Sequence, residues 1–303
     1  MRDSLVAFFK DSLNGSYAAK KTEKFELFLR VYMERFIFRD GTEVPYIASR
    51  QNARVVGTAK LADKKHREST GKFLCEGVKL TLEAALWGRL SEVYVRESSA
   101  DVLFDTVLKI KDRCGEVFIL SDSAFEKITT EKAPQGIISV VHSTLASKED
   151  VDGDGVILFL DSIRDPGNLG TILRSACALG GVRVVLHSCA DLYNPKTVRA
   201  AMGAVFKTDI TLSHDGVEYI RKCRSAGRRV LAAALTDDSL KLGSYETDGR
   251  DVIVIGNEGH GISPEIMAEC SNSLLIPMEE DTESLNASVA ASVILWEYAR
   301  GKK

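Results

Sequence analysis

From residue 156 onward the chain is punctuated by short, nearly continuous apolar segments, at 156–160, 182–186, 229–234, 252–255 and 274–276. Between them lie stretches with helical character at 169–179, 196–202, 217–226, 264–269 and 286–299. A strand with one wet face alternates apolar and polar residues, whereas a strand without alternation is covered on both faces. Such strands, separated by helices, predict an α/β fold whose mostly parallel sheet carries helices on both sides. Open sheets of this kind bind ligands just beyond the carboxyl ends of their strands. The residues that follow each apolar run are therefore the candidates for a site.

Three of those turns are unusual. The first is Asp165-Pro166-Gly167-Asn168-Leu169-Gly170, running into Arg174. The second is Gly256-Asn257-Glu258-Gly259-His260-Gly261-Ile262-Ser263. The third is Ile276-Pro277-Met278, followed by Ser284-Leu285-Asn286-Ala287-Ser288. Each passes through Gly or Pro into a helix, and together they gather amides and hydroxyls around one Arg and one Glu. Glycine lets backbone approach a ligand closely. No G-x-G-x-x-G follows the first strand of either half, and no phosphate-binding P-loop is present, which disfavours a dinucleotide enzyme or a nucleotide triphosphatase. Simple helix capping by Asn168 or Ser284 is the bland alternative. His260 has the chemistry of a near-neutral base.

In this order, the three segments resemble the motifs of the SpoU (TrmH) family of RNA ribose 2′-O-methyltransferases, within the SPOUT superfamily. The resemblance covers about half the chain, 156–303, as the methyltransferase domain. It implies a trefoil-knotted parallel-sheet domain, S-adenosyl-L-methionine as cofactor, no metal, and a homodimer packed through the last helix. It implies an active site of Asn168, Arg174, Glu258, Ser284 and Asn286. The cofactor would be held by Leu235, Thr236, Gly256, Asn257, Ile276, Met278, Leu285 and Ser288. The family offers no general-base histidine to match His260.

The first half is read less sharply. A length of 303 residues suits two domains. Residues 50–142 alternate strands and helices, and Lys64-Lys65-His66-Arg67 with Gly71-Lys72-Phe73-Leu74 resembles the small α/β substrate-binding domain that precedes many SpoU catalytic domains, a ribosomal-protein-like fold. Net charge is −3, yet residues 50–79 hold eight Lys or Arg against three acids. A solvated helix face would explain that run. Phosphate contact by Lys64, Lys65, Arg67 and Lys72 is the functional reading. Residues 1–49 read as a helical extension, because Phe25, Phe28, Leu29, Tyr32 and Phe36 recur at helical spacing; 143–155 read as a polar linker.

No apolar run approaches the roughly 20 residues needed to cross a bilayer, and Val6-Ala7-Phe8-Phe9 is too short for a secretion signal. A cytoplasmic location follows as the expectation. The six cysteines form no C-x-x-C pair and are expected reduced and mostly buried. The expected substrate is structured RNA, ribosomal rather than transfer RNA because of the preceding domain. A transfer RNA methyltransferase and a non-catalytic RNA-binding protein on the same scaffold are the alternatives. The basic stretch discourages a small-molecule methyltransferase.

Overall fold

The computed structural model describes residues 35–143, 151–236, 239–279 and 284–300. Two sheets organise them. The first contains β1 (Arg35–Ile37), β2 (Glu43–Ile47), β3 (Lys72–Glu76), β4 (Leu90–Arg96), β5 (Glu116–Leu120) and β6 (Ile137–His142), in the order β1-β2-β5-β4-β6-β3. Helices α1 (Ala53–Lys60), α2 (Lys64–Thr70), α3 (Val78–Leu86), α4 (Phe104–Ile110) and α5 (Asp122–Ile128) cover it. Period-2 geometry sends alternate residues to opposite faces. Phe73, Val93, Val95 and Ile137 pack with α3 and α4, while Leu74, Tyr94, Phe118 and Ile138 pack with α1 and α5.

The second sheet holds β7 (Val156–Asp161), β8 (Val182–His187), β9 (Asp209–Ser213), β10 (Val230–Ala232), β11 (Leu240–Lys241), β12 (Val252–Ile255) and β13 (Asn272–Leu275). Its order is β11-β13-β10-β12-β7-β8-β9, and every pairing is parallel. Helices α6 (Pro166–Leu179), α7 (Pro195–Ala201) and α10 (Ala287–Arg300) cover one face; α8 (Gly216–Ser225) and α9 (Pro264–Met267) cover the other. The α/β fold with its parallel sheet is as the apolar runs predict.

Local chemistry explains the element that matters most. Helix α6 starts on Asp165, whose carboxylate accepts the Asn168 amide at 2.7 Å, with Pro166 in the first turn. Capping therefore falls to Asp165 and leaves the Asn168 side chain free for other work. Further along, a Cβ on Gly170 would lie 2.5 Å from the Thr197 carbonyl and 2.9 Å from the Ala201 amide. Only glycine lets α6 lie this close to α7. Replacing Gly170 with Val should cost about 1–3 kcal/mol through overpacking, read as a lower midpoint in urea unfolding.

The two sheets do not sit as separate beads. A single hydrophobic cluster runs from Phe38, Phe73 and Val93 to Leu158, Val184 and Leu274. Phe73 stacks on Tyr193 with centroids 4.3 Å apart. One correction concerns the first half. Of the expected helical extension, most lies outside the described residues; its last part is strand, since Arg35–Ile37 pairs antiparallel with β2. Phe36 and Phe38, two apart, contact edge to face at 5.1 Å, and Phe38 meets Phe104 at 4.8 Å. Of the expected linker at 143–155, residues 144–150 lie outside the described residues.

Candidate active site

Because the second sheet is parallel throughout, the segments after β7, β12, β10 and β13 leave the same edge of four adjacent strands. That geometry brings together residues far apart in sequence. The Asn286 amide nitrogen donates to Asn168 Oδ1 at 3.0 Å, and Asn168 Nδ2 donates to Glu258 Oε1 at 2.7 Å. Three separate segments thus close into one hydrogen-bonded chain. Asn257 holds the middle segment: it gives Nδ2 to the Ser162 carbonyl at 2.9 Å and accepts the Gly259 and His260 amides at 2.9 and 3.1 Å. Its own amide bonds the Gly261 carbonyl at 2.8 Å. A Cβ on Gly256 would lie 2.3 Å from that same carbonyl carbon, so this position excludes every larger residue.

The third segment is capped by Asn286, not Ser284. Asn286 Oδ1 accepts the Ser288 amide at 2.9 Å and the Ser288 hydroxyl at 2.7 Å. Ser288 is buried with its hydroxyl committed to Asn286, so it braces that side chain. Ser284 is exposed. Ser175 and Ser292 share a hydrogen bond at 2.7 Å, fastening α6 to α10.

Arg174 lies six residues beyond Asn168, about 9 Å along the helix axis. It is exposed, and among the described residues it has no hydrogen-bond or ion-pair partner. The geometry joins Asn168, Glu258 and Asn286 and leaves Arg174 and Ser284 outside that chain. Of the expected cofactor residues, Leu235 is 76% exposed and Met278 39% exposed. Ile276 and Leu285 are half-buried, and Thr236 is exposed. Apolar side chains held open at the strand ends, beside a glycine backbone, suit the adenine and ribose of a nucleoside.

The basic stretch resolves into unlike parts. Lys64 and Lys65 on α2 are exposed, Lys64 lying 3.7 Å from Glu68. Lys72 donates to Ser91 at 3.0 Å. Arg67, expected on RNA, is instead buried: its guanidinium donates to the Leu61 and Ala62 carbonyls, both at 2.7 Å, and pairs with Asp191. It ties the two sheets' helices and loops together and has no surface to offer a phosphate. Arg164, in the turn just before Asp165, is exposed.

All six cysteines are unpaired, and two of them, Cys75 and Cys223, are fully buried; the other four are half-buried, fewer buried thiols than expected. Burial pushes the Cys189 thiol, near the site, up to about 12, so it stays protonated at neutral pH and offers no nucleophile. Among the described residues no helix is long and apolar enough to cross a membrane.

Comparison with known proteins adds a separate line. The SpoU rRNA Methylase family profile matches residues 155–296, and the MRM3-like substrate binding domain profile matches residues 52–139. The chain is 31% identical over 252 residues to 23S rRNA (guanosine(2553)-2'-O)-methyltransferase RlmP of Bacillus subtilis (strain 168), covering 82% of this chain and 97% of the relative. It is 31% identical to 23S rRNA (uridine(2479)-2'-O)-methyltransferase of Streptomyces viridochromogenes, covering 80% and 87%. Among solved structures, AdoMet-bound rRNA methyltransferase from Sinorhizobium meliloti superposes with a TM-score of 0.74 at 29% identity, covering 85% of this chain and 98% of that one.

Proposed function

Since the chain belongs to the SpoU rRNA methylase family, we propose that it transfers the methyl of S-adenosyl-L-methionine to a ribose 2′-hydroxyl of ribosomal RNA. The observation that carries the reading is the Asn286–Asn168–Glu258 chain, assembled from three segments at one sheet edge. It is also the observation that separates an enzyme from a decayed RNA-binding scaffold: its members are all present and mutually bonded.

When bound, S-adenosyl-L-methionine supplies a methyl made electrophilic by its sulfonium. Leu235, Thr236, Ile276, Met278 and Leu285, with the backbone of Gly256 and Asn257, are the residues to hold it. The protein must then fix the ribose oxygen in line and ease loss of its proton. Orientation of this kind lowers a barrier by about 7–11 kcal/mol. Glu258 and the two asparagines form the rigid wall against which ribose is oriented, and Ser284 lines the same site. Arg174 does the electrostatic part. A guanidinium stays charged in proteins, so it serves as a clamp on RNA phosphate and a partner for the developing alkoxide. Its planar fork suits both tasks.

The same reading covers what remains of the architecture. Residues 50–142 form the RNA substrate-binding domain, with Lys64, Lys65 and Lys72 toward RNA; 143–155 connect it to the methyltransferase domain at 156–303, whose chain threads the family's trefoil knot, and the protein works in the cytoplasm. It is a homodimer through α10, on which Val289, Val293 and Trp296 are 46%, 37% and 57% exposed along one helical stripe. Trp296→Glu should convert the dimer to a monomer by light scattering coupled to size exclusion; an unchanged mass removes α10 as the interface.

The direct test is transfer of labelled methyl to unmodified large-subunit ribosomal RNA, paired with calorimetric binding of S-adenosyl-homocysteine in the presence of a chelator. Binding and transfer are both expected. Absence of binding at millimolar ligand removes the enzyme reading.

A further inference from the structure

Beside the Asn286–Asn168–Glu258 chain lies a depression of about 530 Å³ that the methyl-transfer reading does not use. Ser162, Arg164, Asn257, His260 and Ser263 are among the residues that line it. Asn257 belongs to both places, since its amide reaches Glu258 Oε2 at 3.4 Å and the Ser162 carbonyl at 2.9 Å. Of the expected cofactor residues, Asn257 alone borders the depression.

The charges of this depression are distinctive. Its buried acid, Asp161, is spoken for: one carboxylate oxygen accepts the Ser263 amide at 2.7 Å and the other the Ser162 hydroxyl at 3.2 Å. Asp165, next to Arg164, caps α6. Glu258 takes the Asn168 amide. Arg164 is exposed and, among the described residues, has no hydrogen-bond or ion-pair partner. The His260 ring is likewise exposed. The Arg164 guanidinium is thus an uncommitted charge at the opening, while Asp161, Asp165 and Glu258 are engaged in holding backbone and amides.

Position points the same way. The Ser162 amide donates to the His187 carbonyl at 2.9 Å, and the Ala190 amide to the Ile163 carbonyl at 2.7 Å. The turn carrying Arg164 is therefore laced to the segment after β8, and that segment ends in Asp191, clamped to Arg67 of α2. The turn of Arg164 is thus joined by hydrogen bonds to the basic helix of the first half on one side, and through the Ser162 carbonyl to Asn257 on the other.

We infer that Arg164, with His260 beside it, forms a subsite for an RNA backbone phosphate flanking the methylated ribose. A guanidinium meets phosphate through two parallel N–H···O bonds, and such charge-assisted contacts are about twice as strong as neutral ones. The positive strand-end groove gives sequence-independent grip; it fixes register and leaves base identity to be read elsewhere. The inference rests on the methyltransferase reading above, so its test must separate the two.

Steady-state methyl transfer to an unmodified large-subunit ribosomal RNA transcript, across a salt series, makes that separation. Arg164→Ala should raise KM for RNA roughly tenfold with kcat little changed, since one charge-assisted contact to substrate is lost. The slope of log affinity against log salt should shrink by about 0.7–0.9. Arg164→Lys should restore the salt slope, because the charge returns, and recover part of KM. Binding of S-adenosyl-homocysteine and the thermal midpoint should stay at wild-type values, a readout that a merely structural arginine would move. Active wild-type protein alongside an Arg164→Ala variant of unchanged KM and salt slope would falsify the subsite and leave the enzyme reading standing. A wild-type protein that binds this RNA but transfers no methyl overturns the enzyme reading and the subsite together.

Discussion

Arg174→Ala loses methyl transfer by roughly 10²–10³-fold in kcat, the size of effect seen when one preorganised charge-stabilising group is removed. Affinity for S-adenosyl-homocysteine should stay at the wild-type value, because the role proposed for Arg174 is toward RNA and the ribose oxygen. Arg174 is exposed on α6, and no carboxylate or carbonyl among the described residues engages it. Its helix is anchored upstream of it, by the Asp165 cap and by close packing across Gly170 against α7, so its Cα is fixed while its guanidinium is at liberty. Arg174→Lys does not rescue, since a point charge lacks the two-pronged geometry that phosphate accepts. Single-turnover rates at saturating RNA distinguish the cases. A Lys variant at the wild-type rate shows that charge alone suffices and removes the clamp.

Arg67→Ala has the largest expected effect on stability. Its side chain is 5% exposed, its two guanidinium donors to the Leu61 and Ala62 carbonyls lie at 2.7 Å, and its third contact is Asp191. Removing one partner of a buried pair strands the other, at about 3–5 kcal/mol. Here two carbonyls lose donors as well. Arg67→Ala should therefore unfold at markedly lower urea, and Arg67→Met with Asp191→Leu should recover much of the loss, because no charge is left buried. The salt dependence of RNA binding by the still-folded variant should match wild type. A slope reduced by about 0.7–0.9 would show Arg67 on a phosphate after all.

That residue also marks the limit of what a linear sequence discloses. Counting charge along 50–79 correctly finds a basic segment, but it cannot see that Asp191, 124 residues away, meets one member of it. Burial of a charge is a tertiary property. The parallel sheet was legible because β7, β8, β10 and β12 are apolar on both faces, a pattern that only double coverage explains. β9 was not legible: Asp209-Ile210-Thr211-Leu212-Ser213 alternates, sits at a sheet edge, and leaves Leu212 39% exposed. The strand at Arg35–Ile37 was hidden by the opposite error. Phe25, Phe28, Leu29, Tyr32 and Phe36 fit a helical period, yet Phe36 is a strand residue whose ring meets that of Phe38 just past the strand.

Within the site, the convergence of Asn168, Glu258 and Asn286 follows from parallel topology, since loops after adjacent parallel strands share an edge. The division of labour among them was harder to read. Asp165 takes the cap that Asn168 was free to take, and Asn286 takes the one open to Ser284. Ser288, expected at the cofactor, spends its hydroxyl on Asn286. Short polar residues near helix starts compete for the same few amides, and sequence does not decide the winner.

Whether this chain methylates a ribose hydroxyl in ribosomal RNA is decided by nucleotide-resolution mass spectrometry of ribosomal RNA. Total RNA is compared from cells carrying the chain, from cells lacking it, and from cells carrying only Arg174→Ala. One 2′-O-methyl group should be present in the first and missing from the other two. Identical ribose methylation in the first two would contradict the account, whatever the protein binds.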